Sequence, residues 1–240
     1  MGSLVQQVNA RWATSAYTPG SAPVNLPGAA TIGNRIIVMQ MWDRASPRTP
    51  VSVVDAAGTT YTLCRTEDVT ADIAAVCIWE GAAGATNAGQ GVVATLSGNA
   101  GEGAIIVMEV SGLAADQSTL SANGNNTLSA QSLDSGNVTP PNANGFIATI
   151  VYRGNRTWTE DPDFTEIPHG AGTDIWFWGY IENPAASAQS LSYSTGDSAT
   201  TGVVQIVAFV GAAAGGDPEG SLIGGKLLRG GLLLHGVLGR

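Results

Sequence analysis

Twice along this chain, short runs of Val, Ile, Leu, Ala and Thr follow one another, each closed by Gly, Asn, Asp or Ser. The first series occupies residues 35–42, 51–54, 59–63, 75–80, 91–96 and 104–110. The second occupies residues 146–152, 174–181, 190–194 and 203–210. Runs of this length, rich in β-branched residues and bounded by turn formers, read as strands. Surface helices would need Lys, Glu, Gln and Arg, whereas charged residues are only 12% of the chain and glycine supplies 32 of its 240 residues. The reading is an all-β fold, with 44% hydrophobic residues to fill a core.

The two series align as an internal repeat. Residues 33–38 match 144–149, and residues 78–83 match 179–184. The Ser97-Gly98-Asn99 turn before residues 104–110 matches Ser194-Thr195-Gly196-Asp197 before residues 203–209. Two copies of a four- or five-strand unit cannot each bury a sheet face alone, but packed face to face they make one sandwich. The expected architecture is a single jelly-roll-like β-sandwich over residues 1–211, with an internal two-fold repeat. Residues 114–144 are polar with strand-like alternation, and whether they form a loop or further strands stays open.

Past Gly211 the composition changes. Residues 212–220 read as a flexible linker of Ala, Gly, Asp and Pro. Residues 221–240 form an extended Gly/Leu-rich tail carrying Leu222, Ile223, Leu227, Leu228, Leu232, Leu233, Leu234, Val237 and Leu238. It is too apolar to float free and too glycine-rich for a good helix, so its leucines need a partner surface. That surface is a neighbouring subunit, another protein or the chain's own sandwich. The tail holds Lys226, Arg229 and Arg240 and no acid, while the net charge of the whole chain is −9. An acidic body thus carries a cationic tail. An acidic body does not suit nucleic acid or an anionic membrane surface. No stretch approaches the roughly 18 continuous apolar residues of a membrane span, so no insertion is expected. Residues 1–7 have neither a basic n-region nor an apolar h-region, so no secretory signal is expected. In a reducing compartment Cys64 and Cys77, opposed across a hairpin turning near Val69 and Thr70, are expected as free thiols, although a disulfide is geometrically open to them.

The residues offer little chemistry. His169 and His235 have no partner at metal-ligand spacing, and no nucleophile elbow, phosphate loop or zinc helix motif is present. No metal and no cofactor is expected. Glu80 and Glu109 are the paired-carboxylate candidates for glycoside hydrolysis, each expected on the solvent face of its strand. The acidic loop 159–166 offers oxygen ligands for calcium, with solvation as the alternative. Trp176, Trp178 and Tyr180 share one strand face and are expected in the core rather than as a sugar platform. Trp158, with Asp161 and Asp163 beside it, is the better candidate for an exposed ligand contact.

Four segments carry a resemblance. Val51-Ser52-Val53-Val54-Asp55-Ala56-Ala57-Gly58-Thr59-Thr60-Tyr61 resembles a turn motif of a β-sandwich module in bacterial surface proteins and phages. Trp79-Glu80-Gly81-Ala82 and Glu109-Val110-Ser111-Gly112-Leu113 resemble the strand and strand end that follow it there. The chain departs from that pattern at Gly58-Thr59, where Gly-Asn is usual. Ser221-Leu222-Ile223-Gly224-Gly225-Lys226-Leu227 and the leucines after it resemble the C-terminal tails of minor tail proteins of phages that infect actinobacteria. The resemblance implies a non-enzymatic virion protein at the tail tip or in a side fibre, assembled in the host cytoplasm. It implies homo-oligomers, contacts to other virion proteins through the tail, and host-surface glycan as a further partner. Capsid decoration or a head fibre, a carbohydrate-binding module and a cell-wall hydrolase are the rival readings.

Overall fold

The structure is a computed structural model that describes residues 1–12, 23–43, 48–68, 74–84, 91–100, 102–130, 132–153, 158–159, 162–167, 176–195 and 200–213. The described residues contain strands and no helix. A first set comprises β1 (Ser3–Trp12), β2 (Val24–Asn25), β3 (Arg35–Asp43), β4 (Pro50–Val54), β5 (Tyr61–Asp68), β6 (Ala74–Ala82), β7 (Gly91–Leu96) and β8 (Gly103–Ser111). A second set comprises β9 (Ser121–Ala130), β10 (Ser132–Asp134), β11 (Phe146–Arg153), β12 (Trp158–Thr159), β13 (Thr165–Glu166), β14 (Trp176–Glu182), β15 (Ser192–Thr195) and β16 (Thr200–Phe209). Residues 114–144 therefore contribute further strands.

Each set builds one five-stranded and one three-stranded sheet. The first has the orders β1-β8-β3-β6-β5 and β2-β7-β4. The second has β9-β16-β11-β14-β13 and β10-β15-β12, so every strand takes the place of the strand eight earlier in the chain. Each set thus has eight strands, more than the four or five expected, because the short outer strands and the edge strands β1 and β9 lack a continuous apolar run. All named pairings are antiparallel.

Three apolar cores separate four layers. The five-stranded sheets face each other through a central core that includes Ile37, Met39, Ile78, Ile106, Met108, Phe146, Ile150, Trp178 and Val207. The outer face of the first is covered by β2-β7-β4 over Val38, Trp42, Cys77, Trp79, Val92 and Val107. The outer face of the second is covered over Ile147, Val151, Phe177, Leu191, Val204 and Ile206. This layering explains the sequence runs. β3, β6, β8, β11, β14 and β16 are covered on both faces and are apolar almost throughout, as doubly buried strands must be. β7 is covered on one face and alternates in burial.

The register sharpens the repeat. Arg35 pairs with Ala82 and Val110, and Phe146 pairs with Glu182 and Phe209. Arg35 and Phe146 are therefore equivalent, as the alignment of residues 33–38 with 144–149 anticipates. Ile78, however, matches Trp178 and not Gly179, one residue from the expected alignment. In a strand that slip exchanges the faces, and Ile78 and Trp178 do share the central core.

The two sets are joined at one end. Leu113 bridges Gly211, Ala114 N donates to Val210 O at 2.9 Å, and Ala212 N donates to Gly112 O at 2.8 Å. The Gln117 amide donates to Val210 O and accepts from Val210 N. Gly2 N donates to Asn144 O at 2.7 Å, and the Glu182 carboxylate accepts from Leu4 N at 2.7 Å. Gly112 has φ +70, and a Cβ on it would overlap the Met1 carbonyl, so only glycine fits this crossing.

Candidate functional site

Arg35 opens the longest apolar run of the first series, in phase with Ile37, Met39 and Met41. That phase directs it to the central core. β6 sends Glu80 to the same side, two residues beyond Ile78. Arg35 Nη2 donates to Glu80 Oε2, Nη1 donates to the Ala115 carbonyl at 3.1 Å, and both residues are about nineteen-twentieths buried (6% and 5% exposed). The pair forms the floor of a cleft of about 480 Å³ at one end of the central core. Thr62, Leu63 and Cys64 on β5 form one wall, and Ala115, Asp116, Gln117, Ser118 and Leu120 form the other.

The electrostatics follow from this geometry. The floor pair is neutral overall, and two charges leave water there only because each satisfies the other. Burial pulls the Arg35 pKa below its usual value, with Cys64 and Asp116 acting in the opposite sense. Asp116 on the wall is exposed, and its pKa is lowered by hydrogen bonding from Ser118. Burial pushes the Cys64 thiol up to about 12, against the pull of Arg35. Cys64 is therefore a neutral thiol at pH 7 and a weak nucleophile. The lining is mainly polar: Asp116 supplies an exposed carboxylate, and Leu120 supplies an apolar side chain.

The other singled-out residues lie elsewhere. Glu109 is fully buried, and on β8 it shares the phase of Ile105 and Val107, so it faces the outer core. Its carboxylate accepts from the Gln6 amide, the Asn34 amide at 2.6 Å and Thr31 N at 2.8 Å. The solvent-facing placement expected for Glu80 and Glu109 thus does not hold. Both are inside because each has a fixed partner set, and they occupy opposite faces of one sheet. They do not converge on one substrate as a pair of hydrolytic carboxylates would.

Trp178 is in the central core, and Tyr180 packs against it with its ring stacked on Phe146 at 5.5 Å. Trp178 and Tyr180 are thus on a core face, as expected, and the Trp176 side chain lies outside the described residues. Trp158 lies on β12 opposite Thr195, Asp163 is exposed, and Asp161 lies outside the described residues. Among the described residues no three His, Cys, Asp or Glu side chains gather at metal-binding distance. The tail residues Leu222, Ile223, Leu227, Leu228, Leu232, Leu233, Leu234, Val237 and Leu238 lie outside the described residues, as do His169 and His235. Both cysteines are free. Cys77 faces the first outer core, whereas Cys64 falls at the β-bulge between Leu63 and Arg65 and packs against the central core, so a sheet separates them.

The motif segments serve as joints. Asp55 accepts from Ala57 N at 3.0 Å, Thr59 N at 2.9 Å and Tyr61 Oη at 2.9 Å, and Gly58 takes φ +74 within that turn. Burial raises the Asp55 pKa, but the hydrogen bonds from Thr59, Tyr61 and Ala57 outweigh it and the net direction is down. Trp79 fills the first outer core. Glu109 anchors the 28–34 loop, and Gly112-Leu113 make the crossing between the sets.

The cleft residues Arg35, Cys64, Asp116 and Gln117 were not foreseen as a site. Only Arg35 left a signal, as a charge in phase with a buried face. No protein-family model, no curated protein and no solved structure matches this chain.

Proposed function

We propose that the chain is a non-enzymatic structural protein of a phage virion, a minor tail protein of the tail tip or a side fibre. In this reading the body is a jelly-roll-like sandwich with an internal two-fold repeat, and residues 221–240 anchor it to neighbouring virion proteins in a homo-oligomer. The order β1-β8-β3-β6 set against β2-β7-β4, and its recurrence in the second set, supports the jelly-roll description. The motif segments act as turn, core filler and crossing, which is what a fold signature without catalytic content does.

The observation that carries the proposal is the fixed exit of the chain. Val210, Gly211 and Ala212 are clamped by Gln117, Leu113, Gly112 and Asn142. An apolar, cationic segment of sequence therefore starts from a rigid point on an acidic body, the arrangement of an assembly anchor. Gold-labelled antibody to the body, applied to purified virions from lysates that contain the chain, is the test. Gold at the tail tip is the expected result. Gold on heads moves the protein to the capsid, and particles free of gold overturn the virion reading.

A further inference from the structure

The fold uses only one oxygen of Glu80. Oε2 accepts from Arg35, while among the described residues Oε1 accepts no hydrogen bond and is not enclosed. Glu80 lines the cleft at its floor, so that oxygen opens into it. A nearly buried carboxylate oxygen without a donor is costly to keep, and a ligand that donates to it gains what the fold leaves unused. Arg35 is more fully occupied: its Nη atoms donate to Glu80 and Ala115, and Nε is enclosed, out of reach of a ligand. Asp116 stands on the wall, close enough for its charge to act on Arg35, and Ser118 N donates to its Oδ1 at 2.8 Å. Thr62 pairs with Glu80 across β5 and β6, so its side chain lies on the cleft side. Leu63 pairs with Trp79, which fills the first outer core, and so points away.

Among the lining residues Glu80 and Asp116 carry two negative charges against one positive charge on Arg35. The cleft thus holds free carboxylate oxygens and one negative charge in excess. A primary ammonium supplies three donors, no acceptor and the missing charge, whereas an alcohol would turn lone pairs toward the carboxylates. We propose that the cleft binds a primary ammonium group, which donates to Glu80 Oε1 and to Asp116, with the Thr62 hydroxyl as a third acceptor. The group belongs to a free amine or to a lysine of a neighbouring protein. Water screens the exposed Asp116, so the desolvated Glu80 oxygen makes the stronger bond. A volume of about 480 Å³ falls in the range of about 300–1,000 Å³ typical of ligand pockets and leaves room for the carbon chain behind the ammonium. This site is independent of the virion reading.

The experiment titrates the isotope-labelled full chain with n-butylamine near pH 7, where the amine is protonated, and follows the backbone amide resonances of Thr62, Ala115 and Asp116. Saturable shifts at these amides, with a dissociation constant on the order of 1 mM, are expected for so small a ligand. n-Butanol lacks the charge and tetramethylammonium lacks the donors, so each should bind at least about tenfold more weakly. Nα-acetyl-lysinamide separates the two sources: binding tighter than that of butylamine assigns the ammonium to a lysine of a protein, and weaker binding assigns it to a free amine. Two variants locate the site. Thr62→Lys puts a tethered ammonium on the cleft side and should abolish the shifts. Leu63→Lys adds the same charge on the opposite face and should leave the constant within about twofold. A dispersed amide spectrum reports that each variant is folded. Equal binding of butylamine and either control, equal loss in the two lysine variants, or binding retained in Thr62→Lys overturns the proposal. So does the absence of saturable shifts up to about 50 mM butylamine.

Discussion

The two five-stranded sheets have the same strand order but place polarity in opposite ways. Arg35 and Glu80 are matched in the second set by Phe146 and Tyr180, an ion pair replaced by an aromatic stack. Glu109 is matched by Ala208, since their neighbours Val110 and Phe209 pair with Arg35 and Phe146. By the same register Ile106 is matched by Gln205, whose amide is fully buried with neither atom bonded. At the Arg35 and Glu80 positions the second set therefore keeps the volume without the charge. Where the first set keeps an ion pair, it also keeps a cleft.

Removing half of the pair should give the largest effect. Arg35→Ala leaves Glu80 buried without its cation, which costs about 3–5 kcal/mol. Urea unfolding should show this as a lower midpoint. Copying the second set, with Arg35→Phe and Glu80→Tyr together, should be neutral or stabilise by about 1–4 kcal/mol, because packed apolar groups replace a desolvated pair. A double variant as unstable as Arg35→Ala would mean that the two ends are not interchangeable.

Gly112→Ala comes next. Its φ of +70 and the overlap with the Met1 carbonyl act together, whereas Gly33 at φ +91 has open space around a Cβ. A left-handed residue costs about 1–3 kcal/mol, so Gly33→Ala should fall in that range and Gly112→Ala at its top or beyond. Thermal unfolding of the two variants side by side separates strain from overlap.

Much of this fold is legible in the chain, and the reason is coverage. Strands buried on both faces leave unbroken runs such as residues 36–39 and 203–204, and all six were visible. β1 and β9 were not, because an edge strand pairs on one side only, and SLVQQVNARW and SANGNNTLSA carry mixed or polar residues. The pairing of Arg35 with Glu80 was hidden as well. Glu80 follows an apolar run and reads as a strand end, and only the register shows that its phase matches Ile78 and that Arg35 waits across β3. The Gln117 clamp has no local signal, since its partner Val210 is far along the chain.

Gln205 tests the comparison from the other side. An amide with no partner in a dry core loses its bonds to water without recompense, about 1–3 kcal/mol. Gln205→Ile, which copies Ile106, should raise stability by about that amount, read as a higher urea midpoint with unchanged slope. A loss of stability would mean that the amide is held by a bond in the folded protein.

The smallest effect concerns the turn before β5. The Asp55 pKa is lowered in the folded state, because hydrogen bonds from Thr59, Tyr61 and Ala57 overcome the effect of burial. A lowered folded value means that the unfolded chain binds the proton more tightly, so Asp55 contributes stability above the unfolded carboxylate pKa of about 3.9. That contribution disappears as pH falls through the folded value. Asp55→Asn keeps a side-chain oxygen for the turn but removes the charge and the titration. The wild-type chain should therefore exceed the variant by a constant margin above about pH 5, and the margin should close below about pH 4. Urea midpoints taken between pH 3 and pH 7 measure it. A margin that does not change with pH would mean that the turn needs only the shape of Asp55 and not its charge.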